Sequence, residues 1–462
     1  MSIHGPLGVA DTGAVEIRAP AVGARTSARR ERLGLVGLGG LVATTLLVAV
    51  GAAHTNVLLP ESVRPVPSWL AGPFGSNTID LGGGGVIAVL SMMLASYVVA
   101  VRAAGRLSAR LVLMTIAAMY ALVLLAPPLL STDVFSYQFY GRMGALYGAN
   151  AYLAGPHALA LDPLFPYIGA KWAYTPTVYG PAFTALSYLL APLSIAASVL
   201  VYKAIAACAG LGTIALVWNC ARLRGVDPVK AVALVGLNPL IAIYGVGGGH
   251  NDLLMMVLLM AGVYTILAHR ERSGSAMIVG AAAVKITAGL PLAFAIASGG
   301  GRRARDHRRD VLIGATAAGA LLVGVTVAWF GTAPVHLLST IQNVQGKGDW
   351  HSIPGFIGGE LGRSTGHVVG ILLAIALAAV CFVLLLRVWR GTLDWIDAAG
   401  WAALALLVTA SSLLPWYVAW LLPLAALATD RRLWRAAIIA TAAIQVIQLI
   451  GYVPHGTSFL GV

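Results

Sequence analysis

Asp133 heads the one long polar segment that interrupts an otherwise apolar chain, residues 131–181. It stands in Ser131-Thr132-Asp133-Val134-Phe135-Ser136-Tyr137. The segment then passes Gly141-Arg142-Met143 and Asn150-Ala151-Tyr152 and closes on Tyr179-Gly180-Pro181. A lone carboxylate in such a place has two uses. It caps the helix that follows it, or it acts as a general base that takes a proton from a hydroxyl. The aromatic run of Phe135, Tyr137, Phe139 and Tyr140 offers the flat surfaces on which sugar rings pack.

Lys285 is the second residue of interest, set between Val284 and Ile286 inside an apolar run. A Lys at membrane depth costs roughly 2.5–3.5 kcal/mol on insertion scales, so it marks a functional site unless it snorkels to the interface. Its natural partner is a lipid phosphate. His250-Asn251-Asp252 follows three glycines at the end of another apolar run. These residues either cap the next helix or place His250 and Asp252 at the rim of a site, against a phosphate or a sugar. One His and one Asp are too few for a metal centre. No structural metal is expected, although a divalent cation bridging phosphate and carboxylate stays open. Arg142 and Lys171 are cations that either serve the same phosphate or are solvated. Trp172, Tyr174 and the Trp350-His351 pair are sugar platforms or interfacial belt residues. Asp80, in an earlier Gly-rich loop without aromatic neighbours, is the rival base.

The elements that must position these residues are membrane helices. The 462-residue chain is 59% hydrophobic and 10% charged, with a mean hydropathy of +0.85, far too apolar for a soluble globular protein. A helix needs about 20 apolar residues to span the hydrocarbon core. The Leu/Ala/Val-rich runs lack the alternation of a barrel, so the fold class is an all-α polytopic membrane protein. The net charge of +13 does not point to nucleic acid, because the basic residues cluster in short loops. With the N-terminus cytoplasmic, 23 of the 30 Lys and Arg fall inside. Arg64, Arg142, Lys171, Lys347 and Arg363 lie outside, and Lys203 and Lys285 lie in the membrane. Cys208, Cys220 and Cys381 fall in expected spans and imply no disulfide framework.

Residues 1–32 form a disordered cytoplasmic tail in this reading, and 33–462 form one transmembrane domain. Within it, 33–110 are two leading spans, 111–300 the core that carries the site, and 301–462 the C-terminal helices. Charge parity adds two irregular elements. Two full spans between Pro181 and Ala221 would carry Arg222, Arg224 and Lys230 outside, so 181–191 is expected to be a half-helix. Residues 276–297 have basic clusters on both flanks, so this segment is expected to be broken or re-entrant, with Lys285 at its centre, lining a site. The total is about 11 spans plus two partial ones.

The run TDVFSYQFYGRMGALYGANAYLAGP, followed by YGP, resembles the first periplasmic loop of GT-C glycosyltransferases. These polytopic enzymes use polyprenyl-phosphate sugars and carry a catalytic acid residue in that loop. The resemblance extends over most of the hydrophobic chain, through His250-Asn251-Asp252, Lys285 and Pro415-Trp416-Tyr417. It is closest to the actinobacterial polyprenol-phosphomannose-dependent α-1,6-mannosyltransferases of lipomannan and lipoarabinomannan synthesis. Where such relatives often read Asn-Pro-Tyr, this chain has Asn150-Ala151-Tyr152. The resemblance implies a GT-C-like fold in the plasma membrane with a periplasmic active site, a polyprenyl-phospho-mannose donor and a mannolipid acceptor. It also implies inverting transfer with no required cofactor. Asp133 would be the base, and Lys285, Arg142 and His250 would bind the donor phosphate. Asp252, Tyr137, Asn150, Trp172, Tyr179, Trp350 and His351 would bind sugar or acceptor. The alternatives are a lipid-linked-oligosaccharide transporter or flippase, or an enzyme of the same class that moves arabinofuranose or mannosylates protein.

Overall fold

The computed structural model describes residues 22–299, 304–346 and 349–452. Residues 1–21 of the expected tail, and Arg302, Arg303 and Lys347 from the charge count, lie outside them. Among the described residues there are helices and turns and no strand. The first helix, Val22–Gly51, begins well before the apolar run at Leu33.

Among the described residues six helices are long and apolar enough to cross a membrane: Ala28–Gly51, Gly82–Arg106, Ile195–Arg224, Arg305–Phe330, Arg363–Trp389 and Arg431–Ile450. Others are shorter, among them Ala109–Leu125, Asp252–Leu267 and Trp395–Thr409. The shortening has local causes. The expected span over 229–244 divides into a helix Pro228–Gly236 and a π-helix Ile241–Val246. Pro239 disfavours helix at Asn238, and the Asn238 side chain instead accepts from Leu240 N at 3.0 Å. The expected span over 416–428 is a 3-10 turn, Pro415–Trp420, followed by Leu422–Leu427 with Pro423 in its first turn. One continuous buried cluster joins Leu38 near the start to Leu449 near the end.

Both irregular elements are visible. Pro181–Leu190 is a ten-residue helix. The segment with basic flanks is a helix Glu271–Val284, an extended residue Lys285 (φ −152°, ψ 123°), a 3-10 turn Ile286–Gly289 and a helix Leu290–Ala297. Its two ends meet at one end of the molecule. His307 lies 3.4 Å from the Glu271 carboxylate at the start of the segment and 2.9 Å from Ser298 Oγ at its finish. The segment therefore enters and returns on the same side, as the charges on its two flanks require.

Candidate active site

The backbone that delivers Asp133 is held on three sides. Leu130 takes a left-handed φ of 59°, which a leucine adopts only under constraint. Its N–H donates to Leu58 O at 3.1 Å, while Leu129 N donates to Gly247 O at 3.1 Å. From below, the buried Lys203 donates to the Ala126 and Pro127 carbonyls. The helix Asp133–Ala145 then begins, with Asp133 N donating to Ser131 Oγ at 3.2 Å. A carboxylate in the first turn is favoured by the helix dipole. Gly141 and Gly144 let this helix sit hard on Pro181–Leu190: a Cβ on them would lie 2.1 Å from Ser187 O and 1.8 Å from the Tyr188 ring.

Two side chains approach the carboxylate oxygens. Tyr137, one turn on, donates its hydroxyl to Asp133 Oδ2 at 3.3 Å and accepts from Asn251 N at 3.3 Å. His250 Nδ1 lies 3.3 Å from Asp133 Oδ2 without the alignment of a hydrogen bond. The His250 ring is fully buried and stacked on Trp416 at 3.5 Å. The helix Asp133–Ala145 is not among those suited to crossing the membrane. Burial pushes the Asp133 carboxyl up, but His250, the Lys285 ammonium and the Ser131 hydroxyl together outweigh it and hold the group below its ordinary value.

Lys285 arrives from the re-entrant segment. Its ammonium donates to both oxygens of Asp252 at 2.8 and 2.9 Å and lies over the rings of Tyr417 and Trp420 at 4.8 and 5.3 Å. Trp420 Nε1 donates to the same Asp252 at 2.6 Å, so this carboxylate is fully occupied in positioning the lysine. Breaking the helix at Lys285 leaves carbonyls without partners, and Gly180 N supplies one of them at Val284 O, 3.0 Å away. Only glycine permits that approach, because a Cβ on residue 180 would lie 2.2 Å from Ala283 O. The Tyr179-Gly180-Pro181 motif thus joins the polar segment to the break.

Asp133 and Lys285 open onto one cleft of about 800 Å³. Lys171, Trp172 and Tyr179 line it on one side and Trp416, Tyr417 and Trp420 on another. Tyr137, His250 and Asp252 are buried beneath its surface rather than on it. The remaining expected residues lie elsewhere. Arg142 pairs with Asp162 through two donors at 2.8 and 2.9 Å, and Tyr147 joins them, so it braces the loop. Asn150 donates to Phe330 O and accepts from Tyr152 N. His351 Nδ1 sits 2.6 Å from Asp349 Oδ1, and Trp350 packs against the C-terminal helix at Gly451. Asp80 is exposed and accepts from Gly82 N at 2.8 Å, the ordinary work of a residue at a helix start. Among the described residues no three His, Cys, Asp or Glu cluster as metal ligands.

Sequence reasoning gave no site role to Trp416, Trp420, Lys203 or Glu61, of which Trp416, Trp420 and Glu61 line the cleft. The signal for the first two is a proline followed by three aromatics in a short apolar stretch.

Comparison with known proteins bears directly on this site. Residues 33–299 match the model described as Alpha-(1->6)-mannopyranosyltransferase, N-terminal domain, and 357–461 match the MptB C-terminal domain. The chain belongs to the alpha-(1->6)-mannopyranosyltransferase family. Alpha-(1->6)-mannopyranosyltransferase A of Mycobacterium tuberculosis is 31% identical over 72% of this chain and 68% of its own length. A probable alpha-(1->6)-mannopyranosyltransferase of Mycolicibacterium smegmatis is 28% identical over 90% and 82%. Alpha-(1->6)-mannopyranosyltransferase B of Corynebacterium glutamicum is 28% identical over 86% and 73%. No solved structure matches the chain. The N-terminal family region contains both Asp133 and Lys285, while the Trp416–Trp420 wall belongs to the C-terminal one.

Proposed function

We propose that the protein is an inverting mannosyltransferase of GT-C type, with its cleft on the outer face of the plasma membrane. It moves mannose from polyprenyl-phospho-mannose to the 6-hydroxyl of a mannolipid acceptor, extending the α-1,6 backbone of lipomannan and lipoarabinomannan. The observation that carries this reading is that a carboxylate held ionised, Asp133, and the ammonium of Lys285, at the break of an apolar helical segment, face one cleft from separate elements.

Asp133 takes the proton of the acceptor hydroxyl as its oxygen attacks the anomeric carbon. The bond from that carbon to the phosphate oxygen breaks, and polyprenyl phosphate leaves with the electron pair. A β-linked donor gives the α-mannoside. A glycosidase needs a second carboxyl to protonate a poor alkoxide leaving group. A phosphate leaves without a proton, so one base suffices when a cation meets the growing charge. Lys285 supplies that cation and His250 orients the base. Trp172 and Tyr179 offer faces to the sugars. The reading calls for no resident cofactor.

Purified protein given polyprenyl-phospho-mannose and a short α-1,6-mannoside should lengthen the acceptor. Asp133→Asn should lower kcat by about 10²–10⁴ with folding retained, and Asp80→Asn should behave as wild type. Activity that survives Asp133→Asn and disappears with Asp80→Asn would refute the assignment.

A further inference from the structure

A second concavity is separate from the cleft. It lies at the other end of the helix Ala304–Phe330. Phe330 O accepts from Asn150 on the cleft-side loop, and Arg305 stands about 40 Å away along the helix axis. Here a groove of about 1310 Å³ opens between that helix and the end of Arg363–Trp389. Its lining changes character along its length. Arg305, Arg308 and Arg309 stand at the head with one carboxylate, Asp306, and Leu312, Ile313 and Ala317 continue as an apolar strip.

The three guanidiniums are not equivalent. Arg308 is engaged: it lies 3.6 Å over the Trp389 ring and donates to Ala297 O and Ser298 O at 3.2 and 3.3 Å. It ties the two helices together and forms a wall. Arg305 makes no ion pair among the described residues. Arg309 reaches Asp306 only at 3.9 Å and Asp310 at 3.6 Å, and Asp310 is held closer by Arg272 at 2.9 Å. The head of the groove therefore keeps uncompensated positive charge that an anion would satisfy. Leu312 and Ile313 are 47% and 43% exposed beside it, and such a strip is covered favourably only by hydrocarbon. A soluble anion would answer the charge and leave the strip bare.

We propose that this groove is a specific site for an anionic phospholipid, with its phosphate on Arg305 and Arg309 and an acyl chain along the strip from Leu312 to Ala320. A basic recess between membrane helices with an apolar continuation is the arrangement that holds acidic headgroups. The site is separate from the transfer reaction and does not depend on which sugar is moved.

The test is native mass spectrometry of the full chain in detergent, with thermal unfolding followed in parallel. The probes are phosphatidylglycerol, phosphatidylcholine, undecaprenyl phosphate and inorganic phosphate. Phosphatidylglycerol should be retained and should raise the unfolding temperature, phosphatidylcholine and inorganic phosphate should do neither, and undecaprenyl phosphate, for which the cleft is the proposed site, should bind independently of the groove arginines. Arg305→Ala with Arg309→Ala should weaken retention about 30-fold. Ala317→Trp, which fills the strip and keeps every charge, should also abolish it. That variant decides the matter if the charge variant does not fold. Equal retention of phosphatidylcholine, undecaprenyl-phosphate binding that the arginine substitutions weaken as much as phosphatidylglycerol binding, the same stabilisation by inorganic phosphate, or phosphatidylglycerol retention indifferent to Ala317→Trp would each overturn the proposal.

Discussion

Lys285 and Asp252 are a pair in which structure and chemistry can be separated by experiment. The ion pair is buried, Asp252 almost completely, and removing one partner strands the other's charge. Lys285→Met should cost about 3 kcal/mol in an unfolding measurement. Adding Asp252→Asn should restore most of that stability, since Trp420 Nε1 can still donate to the amide oxygen. Transfer should remain down by about 10²–10³, because no ammonium meets the phosphate. A stable and active double variant would reduce Lys285 to a structural residue. His250 is separable by its pH signature. It is the first of the groups that oppose the upward push of burial on Asp133. Without it, burial is less strongly opposed and the carboxyl titrates at higher pH than in the wild type, so the base protonates sooner on acidification. His250→Asn should therefore lose kcat/KM most steeply at acid pH and recover as pH rises. A loss uniform across pH would mean that His250 acts only through packing.

At the scale of elements, the site depends on how closely two segments approach. Gly180→Ala places a Cβ against Ala283 O and must part the Tyr179-Gly180-Pro181 turn from the break at Lys285. The expected cost is about 1–3 kcal/mol. A displacement near 1 Å would cost about 10²-fold in kcat/KM. Gly280→Ala is the control, since nothing lies within 4 Å of its Cβ, and it should leave both unchanged. What was legible in the sequence at this scale follows from physics that acts along the chain. Charge parity located both the broken segment with its lysine and the short helix at Pro181–Leu190. The partners of the charges were not legible. Arg142 and Asp162 meet only because the loop between them folds back, and Lys285 meets Asp252 only because the break faces the start of another helix. Counting cations outside the membrane could not tell a brace from a phosphate ligand. Span lengths were overestimated where proline and asparagine interrupt an apolar run that hydropathy reads as continuous.

At the scale of the whole molecule, the decisive question is which membrane face the cleft occupies. The geometry separates two ends. One carries the cleft with the loop around Glu61, and the other carries the Arg305 groove, Trp389 and the paired ends of the re-entrant segment. Basic residues are concentrated at the second end, in the loops that hold Arg222, Arg224, Arg270 and Arg272. In the proposed topology the positive-inside bias assigns that end to the cytoplasm and the cleft to the outside. A lipid-linked donor would then be used after it has crossed the membrane. Cysteine labelling in intact cells tests this directly. Cys208 is exposed and must first be replaced, and Cys220 and Cys381 should be replaced with it. In that background Ser76→Cys, in the exposed loop at the cleft end, should react with a membrane-impermeant maleimide. Thr392→Cys, just beyond Trp389, should react only after the membrane is permeabilised. Reversed labelling would put the cleft in the cytoplasm, where nucleotide sugars rather than polyprenyl-phosphate sugars are the accessible donors, and the proposed donor would fall with the topology.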